Sequence, residues 1–115
     1  MSAALHSVAI VGVGNMGGAM ATNLLGQGWQ VQVCDLDSAK TAELARLGAT
    51  VASVPAHLVD CEVFILAVVD APEIEAVLFG ENGLATVLRA GHTVLLCPTV
   101  SPQDVQAFAE RLSGL

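Results

Sequence analysis

The chain has 115 residues, enough for one domain with a buried core and too few for two. Apolar residues make up 54% of it and charged residues 13%, a balance that suits a sheet covered on both faces. A net charge of −7, with Lys40, Arg46, Arg89 and Arg111 as the only lysines and arginines, excludes the basic stripe of a nucleic-acid binder, and no apolar run approaches the ~20 residues that span a bilayer.

Short apolar runs alternate with helical patterns. The run SVAIV predicts a strand over 7–11, and a helix over 15–26 follows with Met16, Met20 and Leu24 at four-residue spacing. QVQVC predicts a strand over 30–34. The next helix, 38–47, takes Ser38 as its N-cap and stops at Gly48. A strand over 49–52 leads to a short helical turn opened by Ser53 and Pro55. The run EVFILAV predicts a strand over 62–68, rich in β-branched residues as a buried parallel strand should be. Asp70, Pro72 and Glu73 open a helix whose Ile74, Val77 and Leu78 form a core stripe; residues 79–84 read as a loop. After a strand over 92–97, Ser101 caps the last helix, with Pro102 at its first position and Asp104 placed to close a capping box. Val105, Phe108, Ala109 and Leu112 give that helix an apolar face. This alternation predicts right-handed βαβ units: an α/β, doubly wound parallel sheet in a single domain over 1–115.

In such a sheet a ligand sits beyond the carboxyl ends of the strands, where strand order reverses. GVGNMG, residues 12–17, falls at that end of the first strand and opens the first helix. Gly12 permits the tight turn, Gly14 lets a pyrophosphate approach the backbone, and Gly17 lets helix and strand pack closely. The N–H groups near Asn15, Met16 and Gly17 present the positive end of the helix dipole, so no lysine or arginine is required. Alone the glycine string is a weak signal; the strand before it, the helix after it and an acid 18 residues past Gly17 strengthen it. That acid, Asp35, stands where a carboxylate accepts hydrogen bonds from adenosine ribose hydroxyls. It also repels a 2′-phosphate: like charges at 4 Å cost up to about 4 kcal/mol at an effective dielectric of ~20. Asp37 adds to the repulsion and Lys40 is the only nearby cation. The expected cofactor is NAD rather than NADP.

Two more segments reach the same rim, AVVDAP (67–72) and CPTVSP (97–102). Asp70 reads as a helix cap before a ligand contact, and Thr99 equally as a hydroxyl at the mouth or a turn residue. Cys97 has no neighbouring cation or histidine to lower its pKa. His92, Glu62 and His57 read as remote from the site. Cys34, Cys61 and Cys97 are odd in number and lack CxxC spacing, and the histidines are far apart in sequence. They predict small buried side chains in a reducing cytoplasm and no metal site. The N-terminus shows no export signal.

The stretch IVGVGNMGGAMATNL resembles the N-terminal signature of the β-hydroxyacid dehydrogenases, which include 3-hydroxyisobutyrate, tartronate semialdehyde and threonate dehydrogenases. Met16, Met20 and Asn23 separate it from generic dinucleotide binders, and VCDLD, VFILAVVDAPEIEAVLFGENGLA and GHTVLLCPTVSP extend the likeness over nearly the whole chain. VLFGENG looks most like the threonate dehydrogenase branch. The resemblance implies a Rossmann domain with Gly12, Val13, Gly14, Asn15, Met16 and Gly17 on the pyrophosphate and Asp35 on the ribose with Leu36 beside it. It implies Val68, Val69 and Asp70 along the cofactor and Thr99 near the nicotinamide. Asp70 and Pro98 depart from the family pattern, which has asparagine or a small polar residue and a serine there. Family members continue into a sixth strand and a helical substrate domain with the catalytic lysine. The chain stops at Leu115, so it is expected to bind NAD, to catalyse nothing by itself, and to expose a sheet edge that invites pairing with a second copy. The substrate implied is a small hydroxy acid. Two other readings stay open: the cofactor half of an imine or 6-phosphogluconate-type reductase, against which Asp35 speaks, and a non-catalytic NAD(H)-sensing module.

Overall fold

The computed structural model describes residues 6–58, 61–68, 70–89, 91–96 and 101–113. Five parallel strands, β1 (Ser7–Val11), β2 (Gln30–Cys34), β3 (Thr50–Ala52), β4 (Val63–Leu66) and β5 (Thr93–Leu96), lie in the order β3-β2-β1-β4-β5. The helices are α1 (Asn15–Gly26), α2 (Ser38–Arg46), α3 (Ala71–Phe79) and α4 (Pro102–Ser113), with 3-10 turns at Pro55–His57 and Leu84–Thr86.

The central strand is apolar from Val8 to Val11 because both its faces are covered there. Val8 and Ile10 pack with α1 and α2 through Ala21 and Leu44, whereas Ala9 and Val11 pack with α3 and α4 through Ile74, Leu78 and Phe108. Adjacent residues of one strand thus feed two separate cores, the doubly wound arrangement expected from the apolar runs. Phe64, Ile10, Leu66, Ile74 and Leu78 exclude water completely. At roughly 25 cal/mol per Å² of apolar surface, each contributes about 2–3 kcal/mol by burial.

Four details differ from the sequence expectation. The strands expected over 49–52 and 62–68 are shorter, at Thr50–Ala52 and Val63–Leu66, and the one expected from residue 92 begins at Thr93. Asp37, not Ser38, caps α2: its carboxylate accepts from the Ala39 N–H at 3.0 Å. Met16 leaves the stripe it was assigned to and is 51% exposed, since the first turn of α1 stands beyond the end of β1. Val105 is likewise exposed, whereas Phe108 on the same helix is buried. Among the described residues β5 pairs with β4 alone, leaving one edge of Thr93–Leu96 free.

Candidate functional site

The strand order reverses between β2-β1 and β4-β5, and a cleft of about 420 Å³ opens there, at the carboxyl ends of the strands. Its floor is the glycine turn. Gly12 has φ +94°, and a Cβ there would meet the Ala67 carbonyl oxygen at 2.6 Å. Two further bonds tie this turn to its neighbours: Gly12 N–H to the Cys34 carbonyl at 2.9 Å and Ala67 N–H to the Val11 carbonyl at 2.8 Å. Gly17 lies directly against the Gly12 carbonyl, and any Cβ there would collide with it. Gly14 is different. A Cβ on it would meet no protein atom within 4 Å, so the turn is open on the side where Gly14 lines the cleft.

The start of α1 is uncapped: Gly14 is its N-cap, with no side-chain hydrogen bond and no acid in the first turn. In contrast, α2 is capped by Asp37 and α3 by Asp70, whose carboxylate accepts from Glu73 N–H at 3.1 Å. The Ser101 hydroxyl accepts from Asp104 N–H at 3.1 Å at the start of α4. The first N–H groups of α1 therefore carry a partial positive charge with no carboxylate of the helix to answer it.

Asp35 faces this turn from the end of β2. One carboxylate oxygen accepts from the Val13 N–H at 2.7 Å, the other from the Asp37 N–H at 2.8 Å. The acid thus clamps the glycine turn to the second strand, and each oxygen keeps lone pairs for a further donor. Cys34 beside it is buried; burial first, and then the Asp35 charge, push its thiol above the ordinary 9.0. It is an inert neutral group.

Of the residues singled out from sequence, Gly12, Gly14, Asp35, Leu36 and Val68 line one cleft. Val13 is buried and its N–H is engaged by Asp35, so its amide belongs to the fold. Asn15 and Met16 are exposed at the mouth of α1, and Gly17 is buried beneath the turn. Asp70 caps α3. Val69, Cys97, Pro98 and Thr99 lie outside the described residues. Sequence reasoning missed Lys40 as a lining residue. It also missed Ser53, Val54 and Pro55 after β3, and Glu73, Ala76 and Val77 on α3. The α3 residues carried a signal, since they lie on the helix that follows the rim segment. His57, read as remote, bonds the cleft-lining Ser53 through Nδ1 at 3.3 Å. Glu62 and His92 are away from the cleft, Glu62 beside His6 at 3.3 Å and His92 accepting from Arg89 N–H at 3.0 Å. Among the described residues no group of acids, cysteines and histidines could hold a metal ion, and no helix is long and apolar enough to cross a membrane.

A glycine turn feeding an uncapped helix at the switch point of a parallel sheet, with an acid ending the next strand, defines a dinucleotide-binding domain. The chain belongs to the family described as the NAD binding domain of 6-phosphogluconate dehydrogenase, which matches residues 7–114. It is similar to L-threonate dehydrogenase of Cupriavidus necator, 36% identical over 109 residues, covering 94% of this chain and 37% of that protein. It is also similar to 3-sulfolactaldehyde reductase of Escherichia coli, 37% identical over 99 residues, covering 85% of this chain and 33% of that one. The crystal structure of 3-hydroxyisobutyrate dehydrogenase from Salmonella typhimurium superposes with a TM-score of 0.88 at 30% identity, covering 95% of this chain and 38% of the other. The likenesses mark a cofactor-binding domain of the β-hydroxyacid dehydrogenase kind, and the chain spans a little over a third of the length of these relatives.

Proposed function

We propose that this chain is the NAD-holding portion of an oxidoreductase that moves a hydride between a small β-hydroxy acid and NAD. The observation that carries this reading is the glycine turn, open at Gly14 and clamped by Asp35, set before the uncapped start of α1. These groups fit a dinucleotide. The amides at Asn15, Met16 and Gly17 bind the diphosphate through the helix dipole, and Gly14 lets it come close. The remaining lone pairs of Asp35 accept from ribose hydroxyls. Leu36, Val54, Pro55 and Val77 provide apolar walls for the adenine ring. Val68, which lines the cleft, continues the site toward the nicotinamide, and the family resemblance assigns Val69, Asp70 and Thr99 to the same end of the cofactor. When bound, the cofactor supplies the hydride acceptor or donor; this chain's residues hold and orient it.

The 115 residues act as one cofactor-binding domain, and none of them is assigned the substrate's hydroxyl proton. The relatives' names support a small hydroxy acid or its aldehyde as substrate. Three cysteines without CxxC spacing support a reducing, cytoplasmic setting. The edge of β5 that is unpaired among the described residues supports association of like copies into a homo-oligomer.

Calorimetric titration of the chain with NADH and with NADPH tests the reading. NADH binds, and NADPH binds at least about tenfold more weakly because its 2′-phosphate meets Asp35. Absence of NADH binding, or equal affinity for the two, overturns it.

A further inference from the structure

Ser53 and His57 take no part in the function above, yet Ser53 lines the same cleft and His57 bonds to it. Ser53 follows β3 and lines the cleft with Val54 and Pro55; Leu36, two residues after the end of β2, lines it too. Its hydroxyl lies 3.3 Å from Nδ1 of His57, one 3-10 turn further along the chain. The His57 N–H donates to the Val54 carbonyl at 3.0 Å, and the Ala56 N–H to the Asn82 carbonyl at 3.0 Å, so the turn holding the pair is itself anchored.

A lone serine hydroxyl rotates and serves donors and acceptors alike. Hydrogen-bonded to an imidazole nitrogen, it has a defined polarity. His57 is exposed, so its Nε2 can carry the hydrogen and give it to water, which leaves Nδ1 bare. The Ser53 hydroxyl then donates to Nδ1 and offers only lone pairs to the cleft. Such an acceptor suits an amino group and rejects a carbonyl oxygen, because two facing acceptors leave both unpaired.

We propose that Ser53, oriented by His57, reads the exocyclic amine of the adenine base, and so discriminates adenine from bases that carry a carbonyl at that position. This inference rests on the proposed NAD site. Ser53 is the contact residue and His57 a positioning residue. Selectivity then resides in a pair that touches the base and not the reacting end of the cofactor.

The test compares NAD with nicotinamide hypoxanthine dinucleotide, in which a carbonyl replaces that amine, by calorimetric titration of the full 115-residue chain. The wild type prefers NAD by about fivefold, the effect of one hydrogen bond. Ser53→Ala brings the ratio to about one, and Ser53→Thr, which keeps the hydroxyl, preserves it. His57→Phe also lowers the ratio toward one, since the hydroxyl is then free to turn, whereas His57→Asn restores an acceptor and with it the preference. Both positions are exposed, so thermal unfolding of the variants stays close to wild type. A wild-type ratio of one with NAD still bound overturns this inference alone, as does a ratio unchanged in Ser53→Ala or His57→Phe. Failure of the wild type to bind NAD overturns the proposed function and this inference with it.

Discussion

Gly14 and Gly17 belong to one motif but answer to different constraints, and substitution should separate them. A Cβ at Gly14 meets nothing in the protein, so Gly14→Ala costs no more than about 1 kcal/mol, the difference between glycine and alanine as a helix N-cap. The same methyl occupies the side on which the diphosphate approaches, and NADH affinity falls more than about tenfold. Gly17→Ala puts its methyl into the Gly12 carbonyl, so the turn must shift; stability drops by about 2 kcal/mol or more, and binding is lost with it. Thermal unfolding and NADH titration of the two variants check the contrast. Equal loss of stability in both would show that Gly14 also serves packing. The turn and packing roles of Gly12 and Gly17 were legible from the sequence because an apolar strand before the motif and a helical pattern after it place them on a strand-to-helix turn. The clamp made by Asp35 was not: its bond to Val13 joins residues 22 apart and depends on β2 lying beside β1 in this register.

At the scale of elements, the three helices with capping side chains should fail differently from α1. Asp70 accepts from Glu73 N–H at the start of α3, whose Ile74 and Leu78 are fully buried. Asp70→Ala should lower stability by about 1 kcal/mol, read in a urea unfolding midpoint, and Asp70→Asn should recover most of it. A loss confined to cofactor affinity, with stability unchanged, would instead make Asp70 a ligand contact. Strand and helix identity was readable because the apolar runs are continuous where both faces are buried and periodic where one is. Ends were less so. Asp37 and Ser38 are both good capping residues side by side, and only the backbone conformation decides between them. The wall formed by Ser53, Val54 and Pro55 escaped notice for another reason. Nothing local marks it; those residues reach the cleft because β3 pairs in parallel with β2 and the two strands end together.

At the scale of the whole molecule, one part of the dependence of stability on alkaline pH follows from the buried Cys34 thiol. The Cys34 pKa is raised above 9.0 in the folded chain, so the folded state holds its proton more tightly than the unfolded state does. That contribution is fully present below about pH 9 and is lost as pH rises from there through the raised folded value. Urea unfolding at a series of alkaline pH values should show stability declining across this window, and Cys34→Ala should flatten that part of the decline. A wild-type curve without such a slope would mean that the thiol is hydrated in solution. The net charge of −7 acts in the same direction, since each added negative charge increases self-repulsion.

The double engagement of Asp35 has a bearing on how this domain can change over time. One carboxylate holds the Val13 and Asp37 amides and also faces the cleft, so cofactor preference and structural integrity are inherited together. A lineage drifting toward a phosphorylated cofactor cannot simply discard the acid, because the two amides it leaves behind need new acceptors. The same holds for directed evolution: single-site libraries at Asp35 would return mostly damaged folds, and productive retargeting starts with paired changes that rebuild the glycine turn first.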